Sequence, residues 1–245
     1  MTTKDILNNV SIVLVRTKTP GNIGAVARCM MNMGLSRLVL VRPPRDDQGE
    51  AMKFAAGAEA ILRDAVRTET LQEAVAEHRL VIGTSRHLGR NRRNIGSPRD
   101  MADQIVPLLP QNRIALVFGR EVNGLDKNDL AHCNELIAIP SSKAFPSLNL
   151  SHAVCIVAYE LFIAHRACPA SAGKTLAQTG ELEAFYQHLQ KVLEDSGFLG
   201  PHNRNHMMIS VRQLFGKSRL EQRDINILHG ILSALVRSDP PESKV

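Results

Sequence analysis

Strand-like and helical segments alternate along the first two thirds of the chain, and this alternation most limits the possible folds. Apolar runs rich in Val, Ile and Leu predict strands at Val10–Arg16, Arg37–Arg42, Leu80–Thr84, Ile114–Gly119 and Leu136–Ile139. Helical patterns lie at Asn22–Met33 and Leu148–His165. Strands that alternate with helices form parallel sheets. The sequence therefore predicts an α/β domain with a parallel sheet over residues 1–166.

The rest of the chain predicts a small, separate helical unit. Residues 167–180 are mostly small and polar, with one proline and two glycines, which is typical of a linker. Amphipathic helices are predicted at Leu182–Ser196, Asn203–Phe215 and Glu221–Val236. An all-helical domain over residues 181–245 is marginal in size for independent stability. We therefore expect it to pack on the first domain or on nucleic acid.

The composition of the chain says more about where the protein is located than about its function. The 30 Lys and Arg residues exceed the 24 Asp and Glu residues, and the formal net charge of +6 favours an anionic partner without choosing among RNA, DNA and a membrane surface. The chain shows no secretory signal and no apolar run long enough to cross a bilayer. His202 and His206 share one helix face but have no third ligand nearby, so no metal site is predicted. We expect a cytoplasmic protein without a membrane partner.

The first segment whose residues could bind a ligand is Thr17–Arg28, which joins a predicted strand to a predicted helix. Gly21 and Gly24 permit close approach to the head of a helix, where free N–H groups favour an anion. The dinucleotide-binding pattern GxGxxG is absent, and an ordinary strand-to-helix turn remains an alternative. Arg28 lies in an otherwise apolar helix, where an arginine usually extends its charged end to water, pairs with a carboxylate or serves a site.

An arginine-rich segment follows the strand at Leu80–Thr84. Between Arg79 and Arg99 there are six arginines and no acidic residue. Ligands of open α/β sheets bind beyond the carboxyl ends of strands, and guanidinium groups match phosphates. We predict phosphate contacts of RNA with Arg90, Arg92 and Arg93; a solvated loop is the alternative.

Two further segments place polar residues after apolar strands. In Val117–Leu125 the pair Arg120–Glu121 follows Gly119, and it fits a functional pair or a structural ion pair equally well. In Ile139–Val154 the residues Ser147 and Asn149 flank Leu148, where the long helix is predicted to begin. Both residue types are natural helix N-caps, a role that is compatible with ligand binding.

Taken in this order, the patterns NxGxxxR, VFGRExxGL and SLNLSxAV resemble the three motifs of SPOUT-class RNA methyltransferases of the TrmH-like (SpoU) branch. The resemblance covers roughly residues 8–165. The remaining helical part looks like the extension of the TrmJ group, whose members methylate a ribose 2′-OH at the first nucleotide of the tRNA anticodon loop. One departure is the segment Ser141–Pro146, which lacks a glycine that is common in TrmH-like relatives.

The resemblance implies a deep trefoil knot at the end of the first domain and a homodimer that completes the active site across its interface. It implies tRNA, or another structured RNA, as substrate and S-adenosylmethionine as cofactor, bound by Thr84, Ser85, Arg86, Gly119, Ile139, Pro146, Ser147 and Leu148. The catalytic positions carried over are Arg28, Asn22, Glu121, Ser147 and Asn149. Because a guanidinium stays protonated at neutral pH, we expect Arg28 to stabilise the developing alkoxide rather than act as a base.

Three other functions remain to be compared with this one. The same chemistry on ribosomal RNA keeps all the residue roles. An RNA-binding module without catalysis is disfavoured because every motif residue named above is present. A nucleotide-dependent oxidoreductase is disfavoured because GxGxxG is missing and Arg42 lies where an acidic residue is expected.

Overall fold

A parallel β-sheet forms the centre of the amino-terminal domain in the computed structural model, which describes residues 6–44, 48–85, 93–167, 174–216 and 218–237. Within those residues, its strands are β1 (Val10–Val15), β2 (Arg37–Val41), β3 (Val66–Thr68), β4 (Leu80–Thr84), β5 (Arg93–Gly96), β6 (Ile114–Phe118) and β7 (Glu135–Ile137). Their order across the sheet is β3-β2-β1-β6-β4-β7-β5, and every neighbouring pair is parallel. The predicted parallel α/β fold is confirmed.

Helices cover both faces of this sheet. They are α1 (Pro20–Asn32), α2 (Gln48–Ala55), α3 (Glu59–Arg63), α4 (Leu71–Val75), α5 (Pro98–Ile105), α6 (Lys127–Ala131) and α7 (Leu150–Ala167), with 3₁₀ turns at Leu7–Asn9 and Val106–Leu108. Side chains alternate between the two faces of each strand. In β1, Ile12 and Leu14 therefore join the core beneath α1, α5 and α7, whereas Val13 and Val15 join a second core beneath α4.

The boundaries of two helices differ from the prediction for local reasons. Helix α1 begins at Pro20, two residues early, because proline has no N–H to leave unpaired and its φ suits a first helical residue. Helix α7 begins at Leu150 rather than Leu148 because Asn149 caps it. Gly34 follows α1 with a φ of 72°, the left-handed conformation that is typical of a glycine directly after a helix.

Two strands were missed. β3 and β5 lie at the two edges of the sheet and contain three and four residues. Edge strands of this length show neither a sustained apolar run nor a clear alternation, which are the patterns that predicted the central strands. The predicted strand Leu136–Ile139 is instead Glu135–Ile137, since Ile139 already belongs to the loop that follows.

The described part of the carboxyl-terminal region contains three helices, α8 (Thr179–Asp195), α9 (Arg204–Gly216) and α10 (Gln222–Arg237). They have an apolar core of their own, centred on Phe185, whose ring contacts those of Tyr186 and Phe215. The helical character predicted for this region is confirmed. The assignment of residues 167–180 to a linker stays a prediction. No helix in the described ranges has both the length and the apolar character that crossing a membrane requires.

One buried ion pair joins the helical region to the sheet. Glu135, the first residue of β7, is completely buried, and both of its carboxylate oxygens accept hydrogen bonds from Arg219, at 3.0 and 3.1 Å. A buried carboxylate is costly when it has no partner. Arg219, which precedes α10, therefore supplies a positive charge from the helical region to this buried carboxylate.

His78 marks a second junction between the two regions. Its backbone carbonyl accepts hydrogen bonds from the N–H and the hydroxyl of Thr179, and its Nε2 lies 2.8 Å from the hydroxyl oxygen of Ser11. Burial, with a smaller contribution from the positive charge of Arg113, lowers the pKa of His78 from 6.5 to about 4. The ring is therefore neutral in the folded protein at pH 5, whereas an unfolded chain would be protonated there.

We predict that the protein loses stability as the pH falls from 6.5 to 4. In this pH range the His78 side chain binds a proton more readily in the unfolded state, where its pKa is 6.5, than in the folded state, where it is about 4. This residue alone therefore lowers the free energy of unfolding by about 3 kcal/mol across that window. Substitution His78→Gln should flatten the pH dependence of urea unfolding, and His202→Gln, at an exposed histidine, should not. Equal slopes for His78→Gln and the unsubstituted protein would contradict the assignment.

Candidate active site

A cavity of about 340 Å³ lies beyond the carboxyl ends of the neighbouring strands β6, β4 and β7. This volume is within the range of small-molecule sites, which are roughly 300–1,000 Å³. The cavity is lined by every predicted cofactor contact that the structure describes: Thr84, Ser85, Gly119, Ile139, Pro146, Ser147 and Leu148. Arg86, the remaining predicted contact, lies outside the described residues.

Hydrogen bonds to neighbouring strands fix the cavity wall that follows β4. The hydroxyl of Thr84 donates to the carbonyl oxygen of Val117 in β6, at 3.1 Å. The N–H of Ser85 donates to the carbonyl oxygen of Ile137 in β7, at 2.9 Å. Since both bonds attach this segment to the sheet, its backbone is rigidly placed for a ligand.

The loop after β6 folds back on itself and needs a glycine at its start. A Cβ atom built on Gly119 would lie 2.1 Å from the carbonyl carbon of Gly124, far inside van der Waals contact. The N–H of Gly124 donates to the carbonyl oxygen of Arg120 at 2.9 Å, which closes the turn. Residues 119–125 therefore form a tight backbone wall along the cavity.

The carboxylate of Glu121, within this loop, is held by the segment that follows β1. Its Oε2 accepts a hydrogen bond from the N–H of Lys18, and its Oε1 accepts from the N–H of Thr19, each at 3.1 Å. The side-chain amide of Asn22 also donates to Oε1, at 3.1 Å. The structure thus brings together Glu121 and Asn22, two of the predicted catalytic residues.

Asn149 extends this chain of hydrogen bonds and also caps a helix. Its amide nitrogen donates to the side-chain oxygen of Asn22 at 3.0 Å. Its side-chain oxygen accepts from the N–H of Ser151 at 2.9 Å, at the start of α7. Asn149 therefore caps α7 and also links α7 to α1, while its role in a ligand site stays a prediction.

The Glu121 carboxylate is ionised because its partners outweigh its surroundings. Partial burial by itself raises the pKa of this group, but the N–H groups of Lys18 and Thr19 and the amide of Asn22 together lower it below the usual range. A carboxyl group whose ionised form accepts several N–H bonds is more acidic than a free one. Glu121 is therefore an anchor for the loops rather than a proton acceptor at neutral pH.

The other two predicted catalytic residues do not belong to this chain of contacts. Arg28 is exposed on α1, six residues after Asn22, and its guanidinium has no partner among the described residues. Ser147 is exposed and lines the cavity, and its hydroxyl has no hydrogen-bond partner within the described ranges. Both groups are available to a substrate.

The structure does not describe the side chains of the three predicted RNA-binding arginines. Arg90 and Arg92 lie outside the described residues. Arg93 is the first residue of β5, but its side chain is not described. Their contact with phosphate stays a prediction.

The sequence reasoning missed an ionic cluster beside the cavity. Arg16, at the end of β1, contacts Asp126 and Asp129, and Arg120 contacts Asp126 at 3.1 Å. The spacing of Asp126 and Asp129 could have predicted their reciprocal helix cap at the start of α6. No local pattern indicates the contact with Arg16, which lies 110 residues away from Asp126.

Comparison with known proteins identifies the family. Residues 9–159 match the model of the SpoU rRNA methylase family, and residues 180–244 match that of the carboxyl-terminal domain of the tRNA methyltransferase TrmJ. The chain belongs to the SpoU methylase family. The predicted family resemblance is confirmed, and with it the predicted enzyme class, an S-adenosylmethionine-dependent RNA methyltransferase.

Known tRNA methyltransferases resemble the chain over nearly its whole length. The tRNA (cytidine/uridine/adenosine-2′-O-)-methyltransferase TrmJ of Pseudomonas aeruginosa is 40% identical over 241 residues, which cover 93% of this chain and 94% of that protein. The tRNA (cytidine/uridine-2′-O-)-methyltransferase TrmJ of Pectobacterium atrosepticum is 37% identical over 95% of this chain and 99% of that protein. The crystal structure of TrmJ from Z. mobilis superposes with a TM-score of 0.80 at 32% identity, covering 93% of this chain and 99% of that one.

The SpoU family fold is thereby confirmed, together with the added helical region. The trefoil knot stays a prediction, and so do the roles of the individual site residues.

We predict that Gly119→Ala abolishes cofactor binding by this SpoU family site, whereas Gly124→Ala does not. The added methyl group at Gly119 collides with the backbone of Gly124, but at Gly124 it meets nothing within 4 Å. Gly124→Ala costs only the strain of its left-handed backbone, φ 63°, or about 1–2 kcal/mol. Calorimetric titration with S-adenosylmethionine, alongside thermal unfolding, compares the two; equal affinities would contradict the role assigned to Gly119.

Proposed function

We propose that this protein transfers a methyl group to the ribose 2′-OH of a pyrimidine at the start of the tRNA anticodon loop. The observation that carries the choice of tRNA is the match of residues 180–244 to the TrmJ carboxyl-terminal domain, which adds to the SpoU match of the catalytic part. The names of both relatives include cytidine and uridine, which supports pyrimidines, and the name of the Pseudomonas aeruginosa protein includes adenosine as well. The position in the anticodon loop rests on the resemblance of the sequence to the TrmJ group.

The cavity fits S-adenosylmethionine in shape and chemistry. The lack of a Cβ at Gly119 lets the loop of residues 119–125 fold tightly along the cavity, and Leu125 and Leu130 offer apolar surface of the kind that an adenine ring requires. Backbone groups near Thr84, Ser85 and Ile139 would provide polar contacts. When bound, S-adenosylmethionine supplies a methyl group that its sulfonium charge makes electrophilic.

The protein's own task is then to align the 2′-OH and to stabilise the negative charge that develops as its proton leaves. Arg28 is suited to this task because its guanidinium is exposed and has no described partner. A guanidinium is a poor proton acceptor at neutral pH, so the proton leaves through phosphate or water. Ser147, exposed at the cavity, would position the ribose.

Glu121, Asn22 and Asn149 would position Arg28 without contacting the substrate themselves. Their hydrogen bonds lock the first turn of α1 to the loop after β6 and to the start of α7. Since Arg28 lies further along α1, this lock sets the position from which its side chain reaches the substrate. Arg90, Arg92 and Arg93 would bind phosphates of the tRNA around that position.

The proposal includes a homodimer. Helices α1 and α7 pack against each other and expose large apolar side chains at Met31, Ile156, Tyr159 and Ile163. Apolar surface on two adjacent helices is typical of a face that a second subunit covers. Such a dimer would place the partner's surface next to Arg28.

The proposal is tested by transfer of labelled methyl from S-adenosylmethionine to total tRNA, followed by nucleoside analysis and mapping of the modified position. We expect a 2′-O-methylated pyrimidine in the anticodon loop. Arg28→Ala should lower kcat by about 10²-fold, because it removes one charge that stabilises the transition state. Arg63→Ala, at an exposed arginine of α3, is the matched control and should keep full activity.

Other outcomes of the same assay select other functions. Incorporation into ribosomal RNA alone keeps the chemistry and changes the substrate. Binding of RNA without any incorporation would favour a module that has lost catalysis. Near-normal turnover by Arg28→Ala, with RNA and cofactor binding intact, would remove Arg28 from the catalytic residues.

A further inference from the structure

Arg16, the residue directly after β1, has an unusual backbone conformation. Its N–H still continues the sheet by donating to the carbonyl oxygen of Val41 at 2.8 Å, yet its φ is 51°. A residue with a Cβ rarely adopts this left-handed region. Such a conformation persists where surrounding contacts hold it, and these positions concentrate at functional sites.

Two carboxylates hold the Arg16 side chain. Its Nη2 lies 2.8 Å from Oδ2 of Asp126 and also forms a short contact with Oδ2 of Asp129. The Asp129 side chain is only 5% exposed. Arg120 contacts the same Asp126 oxygen at 3.1 Å. The cluster thus balances two positive charges against two negative ones.

These contacts secure the far end of the loop that lines the cavity. Asp126 directly follows residues 119–125, and its N–H and Oδ1 exchange hydrogen bonds with Asp129 at the start of α6. The middle of the loop is held through Glu121, by the N–H groups of Lys18 and Thr19. The short segment 16–19 therefore holds the loop at two separate points, and Arg16 supplies one of them.

We infer that Arg16 is a positioning residue for the cofactor: by joining Asp126 and Asp129 to the end of β1, it fixes the loop of residues 119–125 as one wall of the cavity. The identity of the ligand rests on the proposed function, whereas the fixing of the loop does not. Arg16 does not line the cavity itself and so acts through the loop.

The neighbouring strand provides a matched control. Arg42 follows β2 as Arg16 follows β1; its φ is 47° and its N–H donates to the carbonyl oxygen of Thr68 at 3.0 Å. Its ion pair with Glu69 is long, at 3.5 Å, and both side chains are largely exposed. Substitution of the two arginines therefore changes the same residue type in the same backbone conformation, but only Arg16 is joined to the cavity loop.

The test compares Arg16→Met with Arg42→Met. Calorimetric titration with S-adenosylmethionine should show a dissociation constant about tenfold higher for Arg16→Met and unchanged for Arg42→Met. In the methylation assay the KM for S-adenosylmethionine should rise by a similar factor, while kcat at saturating cofactor changes less than about threefold. A merely structural role would instead lower the active fraction, and hence kcat, without changing KM.

Two further variants keep the test decisive if Arg16→Met is poorly folded. Arg16→Lys keeps a charge that can bridge the two aspartates, and it should restore most of the affinity. The double variant Arg16→Met with Asp129→Asn removes the carboxylate that would otherwise be buried without the Arg16 guanidinium, and it should fold while still binding the cofactor weakly.

Hydrogen exchange separates this inference from the proposed function. Amides of residues 119–125 should exchange faster in Arg16→Met than in Arg42→Met, whatever the substrate is. Wild-type exchange and wild-type affinity in Arg16→Met would overturn the inference. Failure of the unsubstituted protein to methylate tRNA, with faster loop exchange in Arg16→Met alone, would overturn the proposed function and leave the inference standing.

Discussion

The architecture of the site depends on one carboxylate. Glu121 accepts hydrogen bonds from two backbone N–H groups at the end of β1 and from the side chain of Asn22, so it ties the loop after β6 to the start of α1. Asn149 then brings the start of α7 to the same point. Three segments that are far apart in sequence meet at a single ionised group, and the bonds keep that group ionised in turn. A neutral residue of the same shape would satisfy fewer of these donors.

The parallel sheet makes this meeting possible. Because all described strands run in the same direction, the loops after β1, β6, β4 and β7 all begin on the side of the sheet where the carboxyl ends of the strands lie. The cavity lies beyond three of those strands, and the residues that hold its walls follow the fourth. The buried central strands thus provide a rigid edge, while the loops provide the chemistry. A Cβ at Gly119 would collide with the backbone of Gly124, so the tight turn after β6 depends on glycine at this position.

The sequence predicted those features that depend on neighbouring residues and missed those that depend on residues far apart in the chain. The central strands were predictable because both of their faces are buried, so they appear as unbroken apolar runs. Edge strands β3 and β5 were not, since they are short and carry no such run. The cavity lining was predictable through motif resemblance, and Asn149 as a cap through its position before a helix. The Arg16 cluster was not, because it joins residues that only the folded sheet brings together. The exposure of Arg28 likewise depends on how α1 packs.

The buried pair of Glu135 and Arg219 has a consequence for dissecting the molecule. A fragment that ends before the helical region would keep Glu135 inside the sheet but lose the Arg219 guanidinium, so truncation would report on this broken ion pair as well as on the function of the missing helices. β7 leads directly to Ile139 in the cavity, so a disturbed strand would in turn imitate a loss of cofactor affinity. Any excised catalytic fragment therefore needs Glu135→Gln before its behaviour says anything about what the helical region contributes.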